Sequence, residues 1–290
     1  MPTLETFKGV YLWHYVPSLP AAVVFAILFT IAGAAHAWKM YKTKLWFCMP
    51  FVFGGFFETI GYIARALAVD STGALAPFLV QAAFLLLPPV LFAASLYMVY
   101  SRVVRAVQAQ DLSLIPPRWT TIIFVVGDLL CLNIQSNGAG LLAKPKTAQI
   151  GNYLIVAGLL SQLVVFAGFM LCCIVFHHRF RAKLLITGTH TSIPWQSCLN
   201  MLYTTSLAIM VRNIFRVIEF FMGDAGYLSS TEWPTYVFDG ALMFLVMIGF
   251  FIWYPSHLQP AERNSMIELT SDGASISGHN PVVKRSESTP

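Results

Sequence analysis

Residues 152–176 read NYLIVAGLLSQLVVFAGFMLCCIVF, without one charged side chain, and residues 177–183 follow at once as HHRFRAK. About 20 apolar residues wound as a helix cross the roughly 30 Å of hydrocarbon in a bilayer. Lipid offers no water to pair backbone amides, so a block this long must satisfy them within itself, as a helix does. A membrane-spanning strand would be shorter and would alternate apolar with polar positions. The basic run after Phe176 marks where the chain leaves the membrane.

Comparable blocks recur at 17–38, 46–68, 77–100, 120–143, 196–221 and 232–254, so seven spans are expected. The 290 residues are 57% hydrophobic and 11% charged, whereas a soluble domain carries about 25% charged residues. The fold class expected is an all-α membrane protein, a seven-transmembrane-helix bundle. The first block is too long for the core of a signal peptide and reads as a retained span. Residues 1–16 then form a short extracellular segment, 17–258 the membrane domain, and 259–290 a disordered Ser/Thr-rich tail.

Orientation follows from the positive charges. Of 18 Lys and Arg, 12 lie in the first, third and fifth loops and the tail, and 3 in the N-terminal segment and even loops. Positive charge is retained in short cytosolic loops. The N-terminus is therefore expected outside and the C-terminus in the cytosol, as an odd number of spans requires.

Seven charges remain inside spans: Glu58, Arg65, Asp128, Arg212, Arg216, Glu219 and Asp239. Each costs about 2.5–3.5 kcal/mol at the centre of a membrane helix. Left unpaired, the set would cost roughly 20 kcal/mol, more than the net stability of a domain. They must face the bundle interior and pair, or line a wet cavity. Glu58 and Arg65 share one helix face, and Arg212, Arg216 and Glu219 follow i, i+4, i+7 along a single stripe. Asp128 and Gln135 likewise share a face, with Asn133 and Asn137 on adjoining ones. Arg65 with Glu58 and Arg216 with Asp239 are natural ion pairs, and a purely structural lock is one reading of the set.

Depth favours another. At about 1.5 Å per residue, Arg212 lies roughly 24 Å and Glu58 roughly 18 Å in from the cytosolic side, and Asp239 about 10 Å below the outer surface. Gln81 and Asn137 fall at similar outer levels, while Asp128 is in the inner half. The expected polar site comprises Glu58, Arg65, Gln81, Asp128, Gln135, Asn137, Arg212, Arg216, Glu219 and Asp239, mostly in the outer half. Guanidinium groups suit a phosphate or carboxylate, and carboxylates suit an amine. Full ionisation leaves one excess negative charge.

Other signals exclude or refine. There is no G-x-S-x-G, no H-E-x-x-H, no ATP-binding P-loop and no intramembrane His cluster, so no catalytic residue, metal or cofactor is assigned. Nothing points to a nucleic-acid partner, and the sequence is silent on oligomeric state. The five cysteines lie in or beside spans and read as small apolar residues. Gly54, Gly55, Gly61, Gly138 and Gly140 read as close helix contacts. Pro88-Pro89 should kink the third span and free backbone carbonyls.

The stretches Gly54-Gly55-x-x-Glu58-x-x-Gly61-Tyr62-x-x-Arg65, Ala93-Ala94-Ser95-x-Tyr97 and Gly127-Asp128 through Gln135-x-x-Gly138-x-Gly140 occur in this order. Arg212-x-x-Phe215-Arg216-x-x-Glu219, Gly223-x-x-Gly226-Tyr227 and Tyr236-x-Phe238-Asp239 follow. Together they resemble the fungal RTA-like family, the lipid-translocating exporters, over roughly residues 10–258. The resemblance implies a seven-span protein linked to stress resistance; no enzymatic activity and a plasma-membrane location are expected. It implies membrane lipids as partners and a sphingoid long-chain base or toxic amphiphile, such as an amino-sterol, as substrate. Porphyrin or haem transport and a seven-helix lipid receptor or sensor are the alternatives it leaves open, and an intramembrane enzyme using carboxylates as acid and base is a further alternative.

Overall fold

The computed structural model describes residues 6–7, 10–11, 13, 15–142, 147–187, 194–222 and 226–255. The tail expected over 259–290 lies outside the described residues, as do residues 1–5. A two-residue antiparallel pairing, β1 (Thr6–Phe7) with β2 (Val10–Tyr11), precedes the helices. Then come α1 (Leu19–Thr43), α2 (Met49–Leu67), α3 (Leu75–Ala106), α4 (Pro117–Leu142), α5 (Ala148–Thr187) and α6 (Trp195–Met222). A short helix α7 (Tyr227–Ser230) leads to a π-helical stretch, Thr235–Ala241, which runs on into α8 (Leu242–Ile252).

Local chemistry sets several boundaries. Proline occupies the first turn of α1 and α2 and opens α4, where a missing N–H costs no hydrogen bond. After α1 the chain turns at Lys44, whose φ of 55° is left-handed. The expected end of the fifth span, Phe176, is not the end of α5, which continues to Thr187. The apolar block reports membrane thickness, whereas His177 to Lys183 are helix-compatible polar residues. At 40 residues, α5 is about 60 Å long, twice the hydrocarbon core.

Six helical stretches among the described residues are long and apolar enough to cross a membrane. The 28-residue α6 is not among them. Gln196, Asn200, Arg212, Asn213, Arg216 and Glu219 dilute its apolar content.

Neighbouring helices pack in a closed order: α1 on α2, α2 on α3, α3 on α4, α4 on α5, α5 on α6, α6 on α8 and α8 on α1. In addition α3 packs on α6, and its stretch from Leu85 to Val104 is largely buried. Large apolar side chains such as Ile31, Leu130 and Val164 point outward. That inverted surface suits lipid rather than water.

Close approach of α4 and α5 depends on Gly138. A Cβ there would lie 2.8 Å from the Gly151 carbonyl oxygen and 2.9 Å from the Ile155 nitrogen, both backbone atoms that cannot rotate aside. By contrast, a Cβ on Gly140 would meet nothing within 4 Å, so the expectation of a helix contact at that residue is corrected. Gly138→Ala is expected to cost about 1–3 kcal/mol through overpacking. It should lower the thermal unfolding midpoint in detergent, while Gly140→Ala leaves it unchanged or raises it.

Candidate functional site

The polar residues of the bundle fall into three groups. In the first, α6 presents Arg212 and Arg216 toward Asp239, which the π-helical stretch carries. Arg212 Nε lies 3.0 Å from Asp239 Oδ1. Arg216 donates from Nε to Asp239 Oδ1 at 3.0 Å and from Nη2 to Asp239 Oδ2. Its Nη1 donates to Glu219 Oε2 at 3.0 Å. The Arg216–Asp239 pair expected from sequence is thus formed.

Arg212 has a further partner that depends on the double proline. Pro89 has no N–H, so the carbonyl four residues earlier, on Leu85, loses its helical donor. Arg212 Nη2 donates to that Leu85 oxygen at 3.0 Å. The unsatisfied carbonyl of α3 thus finds a donor in the buried guanidinium of α6, whose Nε makes the ion-pair contact with Asp239 but no hydrogen bond.

Glu58 faces this group from α2, where its electrostatic neighbours are Arg212, Asp239 and Arg216. It is 1% exposed, and its Oε2 has no hydrogen-bond partner. The pair with Arg65 expected from sequence is not formed. Seven residues along a helix are about 10.5 Å apart, so one face is shared without contact.

Arg65 instead belongs to a second group. Its Nε donates to the Tyr236 hydroxyl at 3.0 Å, and its Nη2 donates to Tyr15 Oη at 3.0 Å and to Glu232 Oε1 at 2.9 Å. The backbone N–H of Ser18 donates to the same Glu232 oxygen at 2.7 Å, and the Tyr236 hydroxyl donates to the Ser18 carbonyl at 3.3 Å. The guanidinium also lies within 5.6 Å of the ring centroids of Trp13, Tyr15 and Tyr236. Cation–π attraction to three rings adds to the charge pairing. Tyr62, stacked with Tyr236, Phe25 and Phe29, stands between the two groups.

The third group lies among α3, α4 and α5. Tyr97 Oη donates to Asp128 Oδ2 at 2.8 Å, and Gln135 Nε2 donates to Gln162 Oε1 at 2.9 Å. Asn137 is exposed and bonds back to Asn133, so its expected place in the polar core is corrected. Gln81 is half-buried with an unpartnered Oε1 and joins none of the three groups through a hydrogen bond. The ten residues expected as one site are therefore divided: Glu58, Arg212, Arg216, Glu219 and Asp239 meet, and the rest do not join them.

Several partners escaped sequence reasoning. Glu232 opens the last apolar block and passes for a loop charge. Tyr15, Tyr62, Tyr236 and Gln162 are uncharged and so carry no insertion penalty that would single them out. Only Leu85 had a signal, its position four residues before Pro89. Among the described residues no three His, Cys, Asp or Glu side chains form a metal-ligand set.

Long apolar helices with lipid-suited exteriors, enclosing ion-paired charges, define a multi-pass integral membrane protein. Comparison with known proteins is more specific. A family model described as "RTA1 like protein" matches residues 51–262, and the chain belongs to that family. It is 31% identical over 275 residues to Protein RTA1 of Saccharomyces cerevisiae, covering 85% of this chain and 86% of the relative. Protoporphyrin uptake protein 1 of the same species is 32% identical over 280 residues, covering 84% and 92%. The sphingoid long-chain base transporter RSB1, again from S. cerevisiae, is 24% identical over 278 residues, covering 83% and 72%. No solved structure matches.

Proposed function

We propose that this chain is a transporter, not an enzyme, for a lipid-like amphiphile bearing a cationic amine, of the sphingoid long-chain base class. The observation that carries this reading is Glu58, a buried carboxylate whose Oε2 has no hydrogen-bond partner. In its group three carboxylates face two guanidinium ions, so an ammonium headgroup supplies the missing positive charge. The apolar bundle suits the hydrocarbon chain. A relative named as a sphingoid long-chain base transporter supports the substrate class.

A porphyrin, whose propionates are anionic, needs an uncommitted cation. Arg65, Arg212 and Arg216 are each already within 3.0 Å of a carboxylate oxygen. The same charge balance that favours an amine disfavours that alternative. The reading includes seven crossings of the plasma membrane, with the N-terminus outside and the C-terminus in the cytosol. With 28 residues, α6 is about 42 Å long, enough to cross, and Asp239 offsets the cost of its arginines. The excess of Lys and Arg in alternate loops sets the direction.

The test is transport of a sphingoid base by the purified protein in lipid vesicles. A hydrogen bond to a charged group contributes about 2 kcal/mol, so Glu58→Gln should slow transport roughly thirty-fold. An N-acylated analogue without the cationic amine should not be carried by the wild type. Equal transport of both lipids, or wild-type rates in Glu58→Gln, would overturn the reading.

A further inference from the structure

We propose that Asp128 is a proton-binding site, separate from the amphiphile site and located among α3, α4 and α5. Asp128 is 1% exposed. One carboxyl oxygen accepts from Tyr97 at 2.8 Å, and the other, Oδ1, has no partner. Tyr97 is itself packed against Phe124, Phe166 and Phe169, with ring centroids 4.6–6.3 Å away. The hydrogen-bond partner of the carboxyl group is therefore a neutral hydroxyl that is itself set among aromatic rings.

No cation compensates it. Among the described residues Asp128 forms no ion pair, and the electrostatic neighbours of its partner Tyr97 include Cys131 on α4 and Cys173 on α5, with no cation among them. An isolated charged carboxylate in so apolar a place is far costlier than its neutral form, and such a group takes up a proton. Asp239 shows the contrast within the same bundle, because it is ion-paired with two guanidinium groups. A metal cation fits poorly at Asp128. Hard cations take about six or more oxygen ligands, and here only the carboxylate and one phenol are brought together.

Loss of the proton would leave an unpaired charge, so that state requires water to reach the carboxylate and the α3–α4–α5 packing to open. Both ends of the coupling lie on α3. Its Leu85 carbonyl binds Arg212, and Tyr97 binds Asp128 about 18 Å further along the same helix. If the chain carries an amphiphile as proposed above, Asp128 is the group through which a proton gradient acts on transport.

Two measurements decide this separately. Infrared spectra of the protein in lipid vesicles at neutral pH should contain a protonated-carboxyl C=O band that Asp128→Asn removes and Tyr97→Phe shifts. Identical carboxyl bands in wild type and both variants would overturn the proton site. Tyr97→Phe carries the test by itself should Asp128→Asn not fold. In the transport assay, an imposed pH gradient should change the wild-type rate, and in Asp128→Asn the ratio of rates with and without the gradient should fall to one. A ratio unchanged from wild type would overturn the coupling role. No wild-type transport of any amine would overturn the proposed function, while the infrared band still decides the proton site.

Discussion

Replacing Asp239 with alanine is expected to destabilise the folded bundle by about 3–5 kcal/mol, the cost of breaking a buried ion pair from one side. Asp239 is 2% exposed and meets both Arg212 and Arg216. Its removal leaves Arg216 with Glu219 and Arg212 with the Leu85 carbonyl. One carboxylate would be lost where two guanidinium groups remain, deep in an apolar medium. Unfolding of the purified protein in mixed micelles gives the measurement. Combining Asp239→Leu with Arg212→Met should recover at least half of the loss, since apolar replacement of a whole buried pair is often tolerated. A single variant as stable as the wild type would mean that Asp239 contributes nothing by its charge.

Arg65→Ala is expected to have an effect of similar size for a different reason. Arg65 is fully buried and holds three chain segments at once: Tyr15 before α1, Glu232 after α7, and Tyr236 in the π-helical stretch. Loss of the guanidinium takes the cation from Glu232, which keeps the Ser18 N–H, and removes three ring contacts, at about 3–5 kcal/mol. Arg65→Lys keeps a charge for Glu232 but lacks the planar fork that serves several acceptors, so it should fall between wild type and Arg65→Ala. A second readout follows the chain before α1. A cysteine at Val16 should react faster with a water-soluble thiol reagent in the Arg65→Ala background. Equal reaction rates would show that Arg65 does not pin that segment.

The two variants contrast with Glu58→Gln. Removing a buried carboxylate whose Oε2 lacks a hydrogen-bond partner should leave stability unchanged or raise it, while transport falls. Opposite stability effects at Asp239 and Glu58, two carboxylates facing the same arginines, would separate structural pairing from substrate binding.

Much of this arrangement was legible before any tertiary structure. Helix positions followed from apolar runs, because transfer to lipid depends on each residue and its immediate neighbours. The stripe of Arg212, Arg216 and Glu219 followed from helical periodicity, and the family from motifs spread along the chain. Pairing was legible only where one partner was obvious, as for Arg216 with Asp239. Periodicity says which residues share a face, not which helix that face meets.

The chain's membrane character, the places of its helices and the need for its buried charges to be compensated were thus determined by sequence alone, since all three depend on local polarity. Which charge compensates which was decided by the tertiary structure. Arg65 takes Glu232, 167 residues away, instead of Glu58 on its own helix. Arg212 takes both Asp239 and a carbonyl freed by proline on another helix. Both outcomes depend on how neighbouring helices are rotated and, at Asp239, on a π-helical stretch that alters the usual spacing. The same rotations leave Glu58 Oε2 without a partner, and it is that packing result, not the charge count alone, on which the proposed cationic headgroup rests.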